Sequence, residues 1–153
     1  YINLGILLAN QNDSKAVDYY NWAIDIFPSS IEAHRNKGLF YFFLNDYLLA
    51  RESFNRVVEI DSTFEEAYFN IGNTYIGMYS DTMNAYSKDT TLNQAILYFQ
   101  KAVDINPIYV QAIHNLGLQY EFKGNKEKAK EYYLRAIEID NNYAPSLEAI
   151  NQL

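Results

Sequence analysis

The chain has 153 residues, 49% of them hydrophobic and 20% charged, which is enough to form one globular domain with a buried core. Its net charge of −7 argues against nucleic-acid binding, because the neutralisation of phosphates requires a basic surface. The lack of cysteine excludes disulfides, thiolate zinc sites and cysteine nucleophiles, and no apolar stretch has the roughly 18 residues of a membrane span.

A three-residue signature that starts with Asn and ends with Gly occurs four times along the chain. Its glycines are separated by 33, 34 and 45 residues: Gly5, Gly38, Gly72 and Gly117. After each glycine an Ala and then an aromatic residue follow: Ala16 and Tyr20, Ala50 and Phe54, Ala95 and Phe99, Ala129 and Tyr133. The sequence is therefore a repeat of about 34 residues, and its third copy carries 11 extra residues.

Each repeat has the apolar spacing of two helices. In the fourth repeat Ile113, Leu116 and Tyr120 are spaced i, i+3, i+7, which predicts one helical face. Pro28 and Pro107 lie where a helix must end. Three pairs have the spacing of a capping box and predict helix starts: Ser29 with Glu32, Ser62 with Glu65, and Thr91 with Gln94. Each repeat is thus predicted to form two antiparallel helices.

These columns of Gly, Ala and aromatic residues resemble the tetratricopeptide repeat family over nearly the whole chain. The resemblance implies an all-α fold, a right-handed superhelical solenoid of antiparallel helix pairs with a concave inner face. We expect a single domain over 1–153, with repeats at about 1–28 (truncated at its start), 29–62, 63–107 and 108–141, and a capping helix at 143–152. We expect Ala144, Leu147 and Ile150 to form the apolar stripe of that capping helix.

Two features depart from the repeat. Lys37 occupies the column that holds Leu4, Ile71 and Leu116 elsewhere, so we expect its amine to point outward or to pair with an acid. The extra residues of the third repeat form an insertion near 77–91, between its two helices. This insertion is either a tolerated surface loop or a contact element, since it contains the apolar residues Met78, Tyr79, Met83 and Tyr86. A third alternative is that both flanking helices lengthen into it by a turn or more.

Signatures of catalysis and of metal binding are missing from the sequence. Gly72 and Gly77 are not followed by the Lys and Ser or Thr of a phosphate-binding loop. His34 and His114 lie in separate repeats, with no carboxylate at the spacing of metal ligands. We therefore predict no catalytic residue, no metal and no cofactor.

The best candidate for a binding site is the Asn of the signature, which is present in all four repeats as Asn3, Asn36, Asn70 and Asn115. A primary amide both donates and accepts hydrogen bonds, so a row of such side chains can hold the backbone of an extended peptide. The row resembles the asparagine ladder of the O-linked N-acetylglucosamine transferase repeats. The alternative is that these asparagines cap helices or bridge adjacent repeats.

Other side chains are expected to flank the Asn column on the concave face: Arg35, Phe42, Phe69, Asn73 and His114. Glu32, Glu66 and Gln111 are expected at its rim, so a neutral or basic client is favoured. The cations with which chaperone-binding members of the family clamp a terminal carboxylate are missing at the aligned positions, which excludes that specificity.

The sequence as a whole predicts a non-catalytic protein–protein interaction scaffold that binds a peptide or partner segment in its concave groove. It predicts no binding to nucleic acid and no insertion into membranes. Two alternatives stay open: an appended scaffold or regulatory domain of a larger enzyme or regulator, and a solenoid that self-associates through its ends. The chain begins at Tyr1 rather than Met, so we expect a fragment of a longer protein, and its compartment is not predicted.

Overall fold

A computed structural model describes residues 1–79 and 85–153, and these two ranges contain helices and no strands. The helices are α1 (Ile2–Ala9), α2 (Ala16–Ile26), α3 (Ile31–Phe43), α4 (Tyr47–Ile60), α5 (Glu65–Met78), α6 (Ala85–Ile105), α7 (Val110–Phe122), α8 (Lys126–Ile139) and α9 (Ala144–Gln152). Of the predicted insertion, residues 80–84, which include Met83, and the side chain of Tyr86 lie outside the described residues.

Each helix packs against the next one along the chain, from α1 with α2 to α8 with α9. Where the connection between two helices is fully described, it is a short turn, which makes the two helices antiparallel. The predicted all-α solenoid of helix pairs is therefore confirmed. Its largest core cluster lies between α6, α7 and α8 and includes the fully buried side chains of Ala95, Phe99, Ile113, Leu116 and Ala136.

The glycine of the signature recurs because an aromatic ring lies directly against its backbone. A Cβ atom placed on Gly72 would lie 2.6 Å from Cε1 of Phe99, which is closer than real Cβ contacts come. The same 2.6 Å approach joins the other three glycines to the aromatic residue of their own repeats: Gly5 to Tyr20, Gly38 to Phe54 and Gly117 to Tyr133. The columns of glycine and of aromatic residues are therefore one packing unit, repeated four times.

The predicted capping boxes do not form. Ser30, and not Ser29, caps α3, because its Oγ accepts a hydrogen bond from the backbone N–H of Ala33 at 3.3 Å. Helix α5 follows Phe64 and has no side-chain cap, so the predicted cap at Ser62 is wrong. Thr91 lies inside α6, because the insertion extends this helix towards its N-terminus.

From Ala85 onwards, the described part of the insertion belongs to a longer helix. Helix α6 has 21 residues, whereas α4 and α8, the second helices of their repeats, each have 14. The extension contacts the next repeat: Lys123 at the end of α7 donates to Asp89 Oδ1 at 2.7 Å and to Asn93 Oδ1 at 2.5 Å. The rings of Tyr79 and Phe122 also stack, with centroids 6.3 Å apart. The insertion thus joins the third and fourth repeats along one edge of the solenoid.

Both ends of the chain depart from the apolar pattern of the repeats, and the predicted apolar stripe of the capping helix is wrong. Leu4 is 49% exposed, whereas Ile71 and Leu116 in the same column are fully buried, because no described helix covers this side of α1. In α9 it is Ser146 that is fully buried, while Ala144 and Leu147 are exposed. A small side chain at this position lets α9 lie close to α7.

Lys37 neither points fully outward nor pairs with an acid, which were the two predicted alternatives. Its Nζ donates to the amide oxygen Oδ1 of Asn21 at 2.8 Å, and the residue is half-buried. The lysine therefore finds its partner on α2, and that partner is an amide and not a carboxylate.

Candidate functional site

The signature asparagines come from the first helix of each pair, which is α1, α3, α5 or α7. We call the side of these helices that carries Asn3, Asn36, Asn70 and Asn115 the asparagine face. Asn3 is exposed and the other three are half-buried. None of the four lies in the fully buried core, so their amides are available for contacts at the surface or between repeats.

Asn70 and Asn115 differ in their hydrogen bonds. The Nδ2 of Asn115 donates to Oδ1 of Asn73 at 3.2 Å, which bridges α7 and α5. The Nδ2 of Asn70 is buried and has no hydrogen-bond partner among the residues that the structure describes. The repeat explains the difference, because Leu39 holds the position in α3 that Asn73 holds in α5, and leucine has no acceptor. One amide is thus bridged between repeats and the next one is unsatisfied.

Asn36 borders a cavity of about 160 Å³ between the first two repeats. Its Oδ1 accepts only a long hydrogen bond of 3.5 Å from Nη1 of Arg35. The walls of the cavity are mainly apolar and include Ile6, Leu39 and Phe43. Phe43 is 75% exposed and forms part of the rim. This part of the asparagine face combines one weakly bonded amide with an apolar hollow.

Arg35 is engaged by an acid of the next repeat. Its Nε donates to Oε1 of Glu66 at 2.8 Å, and its Nη2 lies 2.6 Å from the same oxygen. Burial raises the pKa of the nearby Tyr109 hydroxyl to about 12, and the carboxylates of Glu66 and Glu65 add to the shift. Arg35 opposes this shift of the Tyr109 pKa, and the two carboxylates outnumber the one arginine beside the hydroxyl.

The predicted aromatic residues pack within the solenoid. Phe69 lies 5.1 Å from Tyr109 and 5.7 Å from Phe99, measured between ring centroids. Phe42 lies 5.5 Å from Tyr47 in an edge-on arrangement. Phe69 and Phe42 are both half-buried, so each presents part of its ring to the surface.

His114 is drawn towards the capping helix. Its Nδ1 lies 3.0 Å from Oγ of the buried Ser146, and its ring packs 5.2 Å from Tyr133 and 5.6 Å from Tyr143. Burial lowers the pKa of His114, against a smaller opposing effect of Glu121. The histidine is therefore predominantly neutral at pH 7 and ties α7 to α9.

The sequence reasoning missed the aromatic residues that precede the first helices. Tyr109 directly precedes α7 and contacts Phe69, and Tyr143 directly precedes α9 and contacts His114. Both lie eight residues before the signature position at Gly117 or Asn151, as does Phe64 before Gly72. This spacing of eight residues is the pattern from which the aromatic residues could have been predicted.

The functional groups on the asparagine face are side-chain amides, aromatic rings and carboxylates. Within residues 1–79 and 85–153, no three His, Asp or Glu side chains are grouped so as to hold a metal ion. The helices in these ranges include none that is both long and apolar enough to span a membrane. The arrangement is suited to hydrogen bonding and to packing against another polypeptide.

Comparison with known proteins places this arrangement in a family. The sequence model of the Tetratricopeptide repeat matches residues 31–64 and 110–143. The structure superposes on the crystal structure of MamA with a TM-score of 0.79 and 26% identity, covering 95% of this chain and 80% of that chain.

Two curated relatives have similar identity. Superkiller complex protein 3 of Mus musculus is 31% identical over 133 residues, which are 86% of this chain and 8% of that protein. Protein O-mannosyl-transferase TMTC3 of Mus musculus is 31% identical over 151 residues, which are 93% of this chain and 16% of that protein. The chain thus spans only a small part of these relatives. This chain belongs to the tetratricopeptide repeat family, and it is a protein-interaction scaffold.

Proposed function

We propose that the chain is a non-catalytic interaction module that holds an extended segment of a client protein along the asparagine face. The observation that carries this proposal is the unsatisfied amide of Asn70 between amides that have partners. A buried donor without an acceptor costs free energy. Because the terminal torsion of Asn is broad, the amide of Asn70 can turn towards a carbonyl oxygen of a bound peptide. The client then supplies the acceptor that Leu39 does not.

The charges around the asparagine face favour a neutral or basic client. Arg35 is paired with Glu66, so its charge is already compensated. Glu32 is exposed at the start of α3 and adds negative charge at the rim. A basic client therefore gains electrostatic attraction, which salt screens over about 10 Å at 0.1 M ionic strength.

The cavity beside Asn36 favours an apolar side chain in the client. Its volume of about 160 Å³ is several times the roughly 30 Å³ that one water molecule occupies in the liquid. An apolar side chain that fills it removes the exposed rings and aliphatic groups from water, which is favourable. The amide of Asn36 at its border then orients the backbone of the same segment.

A selection from a random peptide library displayed on phage tests the proposal. We expect peptides with a net positive charge and one large apolar residue, and we expect weaker binding as salt rises. The double variant Asn70→Ala with Asn115→Ala should lose binding, whereas the control Asn142→Ala with Asn151→Ala should keep it, because both control residues are exposed and lie at α9. Peptides that bind both variants equally well would contradict the proposal.

A second candidate function is an appended scaffold of a larger enzyme. The specific observation that favours it is the similarity to Protein O-mannosyl-transferase TMTC3, over 93% of this chain but only 16% of that protein. In that case the asparagine face positions a substrate protein or a regulatory partner. Measuring the activity of the whole protein with and without the Asn70→Ala and Asn115→Ala changes separates the two functions, because only an appended scaffold alters catalysis.

A further inference from the structure

One aromatic column on the second helices is interrupted in the second repeat. The residue just before the buried aromatic position is Tyr19, Tyr98 or Tyr132 in three repeats, and Ser53 in the second. We call this position the ring column. It lies away from the asparagine face, because it is on α2, α4, α6 and α8.

In the third repeat the ring of this column is held by three neighbours. Tyr98 stacks on Tyr75 with centroids 5.7 Å apart and on Tyr68 with centroids 6.5 Å apart. The Nζ of Lys101 lies 5.3 Å from the centroid of the Tyr98 ring, a cation–π contact. The site therefore consists of two aromatic rings and one cation around a phenol ring.

The first and fourth repeats also pack the ring of this column against another ring. Tyr132 stacks on Tyr120 with centroids 5.5 Å apart and planes inclined by only 5°. Tyr19 packs edge-on against Trp22 at 4.9 Å. An aromatic side chain at this position is thus a recurring part of the packing.

In the second repeat the ring is missing and a cavity takes its place. Ser53 is 5% exposed, and its Oγ donates to the carbonyl oxygen of Leu49 at 2.9 Å, so it does not project into the space. A cavity of about 270 Å³ opens beside it, between α2, α3 and α4. Tyr41 and Arg56 line this cavity and occupy the columns of Tyr75 and Lys101. Tyr41 retains the ring platform of Tyr75, and Arg56 retains the cation, which also forms an ion pair with Glu59. His34 replaces the second ring, Tyr68, and the central ring is absent.

Two further walls of the cavity are held in place. His34 is 7% exposed, and its Nε2 donates to the carbonyl oxygen of Pro28 at 2.9 Å. Lys37 donates to Asn21 at 2.8 Å. The cavity is therefore preformed by bonded side chains, which lowers the entropic cost of filling it.

We propose that this cavity binds the phenol ring of a tyrosine that a protein partner presents, in the place that Tyr98 fills in the third repeat. The ring stacks on Tyr41 and receives a cation–π contact from Arg56. The carboxylates of Asp25 and Glu52 also line the cavity, so the partner tyrosine is flanked by basic residues. This site is separate from the asparagine face and does not depend on the proposed function of that face.

The test uses p-cresol, the side-chain analogue of tyrosine, titrated into isotope-labelled protein while the backbone amide resonances of Ser53 and Tyr41 are followed. We expect saturable shifts at these two residues, and no saturable shifts with 4-methylcyclohexanol, which has the same outline without the ring electrons. Acetyl-Arg-Tyr-Arg-amide should bind at the same residues more tightly than acetyl-Glu-Tyr-Glu-amide.

Two variants give the matched comparison. Ser53→Tyr supplies the missing ring and should abolish the shifts, whereas Ser62→Tyr, at an exposed turn, should leave them unchanged. Tyr41→Leu removes the platform and should weaken p-cresol binding about threefold or more, which decides the question if Ser53→Tyr does not fold. Binding that survives both Ser53→Tyr and Tyr41→Leu would overturn the proposal. Binding of p-cresol without binding of the Arg-flanked peptide would overturn the assignment to a protein partner.

Discussion

The difference between Asn70 and Asn115 leads to opposite expectations for the same substitution. Leucine has nearly the shape of asparagine but no hydrogen-bonding group. At Asn70 it removes a buried donor that has no partner. At Asn115 it removes the donor that is bonded to Asn73 Oδ1 at 3.2 Å. The first change therefore removes an unsatisfied group, and the second change breaks a hydrogen bond.

The magnitudes follow from the cost of a hydrogen bond. Asn115→Leu should lower the free energy of unfolding by about 0.5–1.5 kcal/mol, the net worth of one hydrogen bond. For a chain of this size that is about 1–6 °C in melting temperature. Asn70→Leu should leave stability unchanged or raise it, by at most the roughly 1–3 kcal/mol that a buried unsatisfied group costs. Binding should respond differently, because Asn70→Leu removes one bond to the client and weakens affinity about twofold to thirteenfold.

Thermal melts by circular dichroism and calorimetric titration with a selected peptide measure the two effects on the same preparations. Asn142→Leu is a suitable control, since this residue is exposed and lies in the turn before α9. If Asn70→Leu lowers the melting temperature as much as Asn115→Leu does, then Asn70 has a structural partner and the reasoning about Leu39 is wrong. If Asn70→Leu leaves affinity unchanged, this amide does not contact the client.

Three further predictions concern stability. Gly72→Ala should lower the free energy of unfolding, measured in a urea melt, by about 1–3 kcal/mol, because the new Cβ meets the Phe99 ring. Adding Phe99→Leu should recover part of this loss. If the two substitutions lower the free energy by the sum of their separate effects, the close contact is refuted. Lowering pH from 7.5 to 5.5 should destabilise the chain less in His114→Phe than in the parent, as melts at both pH values will show. Folding lowers the pKa of His114 from about 6.5, its ordinary value in the unfolded chain. As the pH falls below about 6.5, the unfolded chain therefore binds the proton more readily than the folded chain does, and the free energy of unfolding decreases until the pH reaches the lower folded pKa. Replacing residues 78–90 with a short Gly and Ser turn should shift the melting temperature less than Gly72→Ala does, because the contacts of the extension lie at the solenoid edge; a larger shift would make the insertion a structural element.

The repeat and its packing could be predicted because one physical contact recurs at fixed spacing. The contact between a glycine and an aromatic ring places these two residue types at the same positions in all four repeats. The helix pairs and their order can therefore be predicted from the glycine and aromatic columns. The helix starts could not be predicted from capping boxes, because Ser29 and Ser30 are adjacent and only the chain path decides which one caps α3. The sequence left open whether the insertion forms a loop or lengthens the flanking helices, because 11 residues suit either. In the structure α6 has 21 residues and α4 and α8 have 14 each, a difference of about two helical turns.

The binding face was harder to predict in detail than the fold. The sequence identifies Asn70 and Asn115 as equivalent, yet only one has an acceptor, because the outcome depends on whether Leu39 or Asn73 lies in the preceding repeat. From the sequence, Arg35 is expected to be a free cation, whereas in the structure its Nη2 lies 2.6 Å from Oε1 of Glu66, on α5 of the next repeat. Contacts between repeats join residues of two different columns in adjacent repeats. They cannot be predicted from the residues of one column alone.

Binding of a client peptide along the asparagine face can be measured at the asparagines themselves, from their side-chain amide resonances during titration with a selected peptide. We expect the Nδ2 resonances of Asn36, Asn70 and Asn115 to shift and saturate together, while those of the exposed Asn142 and Asn151 stay in place. A peptide that binds with full affinity while these three resonances do not move does not lie along the asparagine face.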